Sequence, residues 1–108
     1  MNDKILTLLG FASKAGKLSY GFDAVKTALT QSKSKLVLMA SDVSSKSQKE
    51  VFFYGEKFKT TAMVLNDYDM ETISHAVGRK CGIVSVNDVS FAEGLLSAIN
   101  VGRNLNDK

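Results

Sequence analysis

Histidine and cysteine, side chains that often serve as base, nucleophile or metal ligand, occur once each in these 108 residues. His75 is the sole histidine, flanked by Ser74 and Ala76, with Arg79 rather than a carboxylate four residues on. A general base needs a partner to orient it, so His75 reads as a surface or half-buried helix residue. Cys81 is the sole cysteine, which excludes an intrachain disulfide and a thiolate metal cluster built from this chain. Arg79 and Lys80 beside it could lower its pKa, but no second histidine and no recognised motif accompany it. The segment Gly10 to Lys17, GFASKAGK, approaches the phosphate-binding pattern G-x-x-x-x-G-K-[ST]. It departs from that pattern in three ways: five residues separate the glycines, Leu18 stands where a hydroxyl is needed, and the segment ends a helical pattern instead of following a strand. There is no G-x-S-x-G and no carboxylate pair. The expectation is a protein with no catalytic residues, no metal ligands and no cofactor.

The elements that would position a binding surface are readable in the apolar spacing. Ile5, Leu8, Leu9, Ala12 and Ala15 form a helical stripe that stops at Gly16. Gly21 opens a second helix, with Val25, Ala28 and Leu29 on one face, running to about Gln31. Leu36 to Ala40 is an unbroken apolar run, the mark of a strand covered on both faces. Ser47 and Glu50 have capping-box spacing ahead of a helix in which Val51, Tyr54 and Phe58 share a face that Phe52 and Phe53 widen. Ala62 to Leu65 reads as a second buried strand, Met70, Ile73 and Val77 as a short helix ending at Gly78, and Ile83 to Val86 as a third strand. A second capping box, Ser90 and Glu93, opens a closing helix through Phe91, Leu95 and Ala98. Lys17 to Tyr20 can supply a fourth strand at the sheet edge. This alternation predicts an α/β protein, a three-layer α/β/α sandwich around a mixed sheet of about four strands. With no proline, repeat or low-complexity tract, residues 1–102 are expected to form one domain and residues 103–108 a frayed tail.

Charge is unevenly placed. Residues 1–59 carry ten lysines against five acidic residues, whereas residues 60–108 carry four basic against six acidic ones. A positive face drawn mainly from N-terminal elements follows, the arrangement expected of a chain that meets nucleic acid; lysines scattered over solvated helices remain the plainer reading. No apolar run approaches the ~20 residues of a membrane span, and Asp3 and Lys4 stand where a signal peptide would be basic and then apolar. The chain is expected to be cytoplasmic and without a membrane partner.

Three segments, in order, carry a resemblance. Gly16 to Leu29, GKLSYGFDAVKTAL, then KLVLMASDV from Lys35 to Val43, then AVGRKCGIVSV from Ala76 to Val86 resemble the strand, glycine and second helix, the buried strand and turn, and the closing rim of the kink-turn RNA-binding ribosomal protein superfamily. The opening LLGFASKAGKL is similar to that of the bacterial YlxQ-type branch. The resemblance implies a non-catalytic RNA-binding protein that takes kink-turn, ribosomal or regulatory RNA and associates with the ribosome; the basic face and modest size suit a monomer. Its RNA-binding set would comprise Lys14, Lys17, Gly21, Phe22, Asp23 and Lys26 at the first segment. Ser41 and Asp42 at the second, with Gly78, Arg79 and Lys80 at the third, would complete it. A helix N-terminus at Gly21 would offer backbone N–H groups to phosphates or base edges, and recognition would be of RNA shape more than of base sequence. The chain departs from the usual pattern at Asp23, Ala24 and Thr27, with Lys26 one residue early. Asp23 is therefore either an RNA contact or a first-turn residue complementing the helix dipole, and Lys26 either a phosphate contact or a solvated side chain. The other reading of the whole is a protein-interaction module of the same fold, docking its basic face to an acidic partner or to the ribosome surface.

Overall fold

The computed structural model describes the backbone of residues 3–106 and the side chains of residues 3–101. Its elements are α1 (Lys4–Lys14), β1 (Leu18–Tyr20), α2 (Phe22–Thr30), β2 (Leu36–Ala40), α3 (Ser45–Lys57), β3 (Ala62–Leu65), α4 (Met70–Val77), β4 (Ile83–Val86) and α5 (Val89–Asn106). The strands form one mixed sheet in the order β1-β4-β2-β3, with β4 antiparallel to β1 and β2, and β2 parallel to β3. On one face α2 packs with α3, and on the other α1 packs with α4 and α5. This is the expected three-layer sandwich. The tail expected over 103–108 falls on residues whose side chains, and at 107–108 whose backbone, lie outside the described residues.

The apolar run of β2 is explained by its place. It lies between β4 and β3 under both helical layers, and all five of its residues are buried. β4 is buried throughout for the same reason. β3 differs from the sequence expectation: it is the sheet edge, and Ala62, Met63 and Val64 are only half-buried, because an edge strand has a lateral neighbour on one side only. Two helix starts also shift. Ser44, not Ser47, caps α3, accepting from the Ser47 N–H at 3.2 Å, and Asp88, not Ser90, takes the Phe91 N–H at 3.0 Å ahead of α5. Each true cap lies upstream of the serine that sequence spacing selects. Nor do Phe52 and Phe53 widen a buried face. Val51 and Gly55 turn inward, and at ~100° per residue that rotates Phe53 to the outside, where Phe52 is 42% and Phe53 62% exposed.

Chain direction then gathers the junctions at one end of the molecule. β1, β2 and β3 all run towards that end and β4 starts from it. Backbone hydrogen bonds stitch the junctions together: Gly21 N–H to Ile83 O, Ala40 N–H to Gly82 O and Ser41 N–H to Tyr68 O, each at 2.8 Å.

Candidate functional site

The site begins with a backbone conformation. Gly21, at φ 88° and ψ 162°, is the N-cap of α2 and supplies no side-chain acceptor to the first turn. That region of φ/ψ space is essentially reserved for glycine, and a Cβ added there would meet nothing within 4 Å. Conformation rather than crowding thus demands the glycine, and the space beside it is open. The first N–H groups of α2 have no partner inside the helix, so they present an uncapped positive end there.

A second strand of structure closes on the same point. Because Gly21 donates to Ile83 O, the loop from Gly78 to Gly82 lies beside the start of α2. Gly78 adopts the left-handed conformation (φ 77°, ψ 17°) that ends α4. The Ser74 hydroxyl then clasps the loop from inside, accepting from the Cys81 N–H at 2.9 Å and donating to Cys81 O at 3.0 Å. Arg79 and Lys80 are left exposed, and the Arg79 guanidinium sits 4.7 Å from the centre of the Tyr20 ring. The clasp buries Cys81. Burial pushes its thiol pKa up, opposed in part by the Arg79 charge, so the thiolate that nucleophilic chemistry requires is disfavoured.

Tyr20 is tied in turn to α1 and α4. The Ser13 hydroxyl donates to Val77 O at 2.7 Å, which uses its one proton, so the Tyr20 hydroxyl donates to Ser13 Oγ at 2.6 Å. Three elements therefore converge on the ring that carries Arg79. Neither Ser13 nor Tyr20 stands out in the sequence; the only signal was a large aromatic residue directly before a glycine.

Of the residues expected from sequence, Gly21, Gly78 and Arg79 come together. Lys80 borders a shallow depression with Asp42, Met70, Glu71 and Ser74. Ser41 and Asp42 follow β2 at this end, but the Asp42 carboxylate is engaged within the protein, accepting from the Met70 N–H at 2.9 Å. Phe22 is half-buried with its ring 6.3 Å from that of Tyr54, and Lys26 Nζ lies 4.9 Å above the Tyr54 ring. Asp23 is exposed in the first turn of α2. Lys14, also exposed, follows Ser13 in the last turn of α1. Lys17 is not drawn to the opening. It precedes β1, bonded through its carbonyl to the Asn87 N–H at 2.8 Å, about 13 Å along the strand from Gly21 at ~3.3 Å per residue. Elsewhere, His75 is exposed and lines a groove between α1 and α4 with Leu6, Thr7, Glu71 and Thr72. Among the described residues no group of three His, Cys, Asp or Glu side chains could hold a metal ion, and no helix is long and apolar enough to cross a membrane.

The chain is similar to several known proteins. The large ribosomal subunit protein eL30 of Dictyostelium discoideum is 30% identical over 102 residues, covering 91% of this chain and 88% of its own length. The RNA-binding protein YlxQ of Bacillus subtilis is 29% identical over 94 residues, covering 86% of this chain and 92% of its own. Among solved structures, a Bacillus halodurans protein of unknown function superposes with a TM-score of 0.86 at 24% identity, covering 92% of this chain and 99% of that one. A Giardia lamblia 15.5kD RNA binding protein superposes with a TM-score of 0.74 at 12% identity, covering 97% and 92%; at that identity the likeness is one of fold. Residues 3–95 match the Ribosomal protein L7Ae/L30e/S12e/Gadd45 family, and the chain belongs to that family.

Proposed function

We propose that this chain is a non-catalytic, monomeric RNA-binding protein of the cytoplasm, associated with the ribosome, that recognises a kink-turn or similarly bent RNA. The observation that carries this reading is the hydrogen bond from Gly21 to Ile83, which sets the uncapped start of α2 beside the Arg79–Lys80 loop. Free N–H groups and a helix-dipole end favour phosphate oxygens or base edges, and the two cations beside them favour a second stretch of backbone at an angle to the first. A sharply bent RNA presents both at once, whereas a straight duplex presents one. The family supports the reading, since its members include ribosomal proteins and the YlxQ relative is described as RNA-binding.

The test is a calorimetric titration with a kink-turn RNA and with a straight duplex of equal length, at one fixed salt concentration. Preference for the bent RNA by roughly tenfold or more, a difference of ~1.4 kcal/mol, is the expected outcome. Equal affinity for the two would overturn shape recognition.

A further inference from the structure

The fold leaves a ribbon of aromatic rings and amines on α3 that the opening at Gly21 does not use. Phe53 is 62% exposed and meets Tyr54 edge-on, with ring centres 5.3 Å apart at 77°. Tyr54 meets Phe22, the residue next to Gly21, and carries Lys26 on its face. Lys46, Lys49 and Lys57 are exposed, and with Phe53 they fall at positions i, i+3, i+7 and i+11 of α3, one helical face. The ribbon thus runs unbroken from the start of α2 across to the outside of α3.

Single exposed apolar residues are ordinary on protein surfaces. Here the exposed ring continues a line of aromatic neighbours and shares its helix face with Lys46, Lys49 and Lys57 and with Glu50, while Lys26 lies over the Tyr54 ring and Lys57 over the Phe58 ring. An apolar protein partner would be poorly matched to a ring set among amines. A strand of unpaired nucleotides fits both features, because every base has a face to stack on a ring and every linkage a charge for an amine. We infer that α3 is a track for single-stranded RNA flanking the bent element, with Phe53 as the stacking platform for an unpaired base and Lys26, Lys46 and Lys57 as its phosphate contacts. This inference rests on the RNA-binding reading and adds a second class of ligand, unpaired RNA, on a surface that adjoins the opening.

The experiment compares a kink-turn RNA with the same RNA carrying a single-stranded oligouridine extension at either end, for the wild-type chain and for Phe53→Ala. One stacked base corresponds to roughly a tenfold gain, so an extension at one end should raise wild-type affinity about that much, and Phe53→Ala should remove the gain while leaving the unextended RNA bound as before. Because Phe53 is largely exposed, the variant keeps its fold. The chain has no tryptophan, so Phe53→Trp adds an isolated fluorophore whose emission should be quenched by the extended RNA and not by the unextended one. An extension that adds nothing at either end overturns the track while the bent-RNA reading stands, as does a gain that survives Phe53→Ala. Failure to bind the unextended RNA at all would defeat the bent-RNA reading, and oligouridine binding that Phe53→Ala abolishes would then still support the track.

Discussion

At the scale of single residues, the Tyr20 side chain does two things that a bare count of cations misses. Its hydroxyl joins β1 to Ser13 of α1, and through Ser13 to the last carbonyl of α4; its ring supports the Arg79 guanidinium. An arginine held on a ring loses less side-chain freedom when it meets a phosphate, and such a contact contributes ~0.5–1 kcal/mol at an exposed site. Tyr20→Leu should therefore weaken bent-RNA binding a few-fold, whereas Tyr20→Phe, which keeps the ring, should hold affinity and lose about 1 kcal/mol of folding stability with the hydrogen bond. If Tyr20 acts through Arg79, then Tyr20→Leu should have little further effect once Arg79→Ala is in place. Titrations of the two single variants and the double variant check this, and simple additivity would separate the two residues.

At the scale of elements, the helix ends decide what the sequence could reveal. The strands were readable because a continuous apolar run has one explanation when it is short and bounded by turns, and β2 and β4 meet it. The edge character of β3 was not readable, since burial there depends on which strand lies alongside. Helix starts were displaced where polar residues crowd: Ser44, Ser45 and Ser47 all offer a hydroxyl, and only the path of the backbone selects Ser44. The Gly21–Gly78 opening was legible as a pair of glycines, while the Ser13–Tyr20–Val77 link that frames it joins residues up to 64 apart in sequence and left no local trace. The end of α3 holds a strained feature of the same kind. Lys59 adopts φ 56°, a left-handed conformation that costs a side chain about 1–2 kcal/mol, in a position where helices usually place glycine. Lys59→Gly relieves that strain and gives back ~0.5–1 kcal/mol through the freer unfolded chain, so a net gain of about 0.5 kcal/mol is expected in denaturant unfolding. At the start of α4, the Asp69 carboxylate accepts from the Thr72 N–H at 2.8 Å. Hydrogen bonding to the backbone and side chain of Thr72 holds its pKa below the ordinary carboxylate value. A carboxyl with a lowered folded pKa contributes stability that is full at neutral pH and is lost as pH falls through the folded value. Asp69→Asn keeps a good cap but cannot ionise, so thermal melts across acidic pH should show a flatter loss of stability than the parent chain.

At the scale of the whole molecule, the fold divides a mild positive charge, putting some cations at one end of the sheet and others along its flank. The molecule is 35 Å along its longest axis and 24 Å along its shortest. Each phosphate neutralised by a cation contributes about one unit to the dependence of log affinity on log salt. Arg79→Ala and Lys80→Ala should each reduce the slope for kink-turn RNA by about one unit, because both side chains are exposed on the loop beside the opening. Lys17 tests how far the ligand reaches, since it lies at the other end of β1. A contact confined to the opening leaves the slope of Lys17→Ala equal to that of the parent chain, while a footprint that follows β1 lowers it as the loop variants do. The geometry favours the first outcome: Asn87, which follows β4, occupies the backbone of Lys17, and the opening is walled by Tyr20 and Arg79 before that point is reached. Slopes measured for all three variants at matched temperature and pH check this, and a loss at Lys17 with none at Arg79 and Lys80 would move the binding face to the opposite end of the sheet.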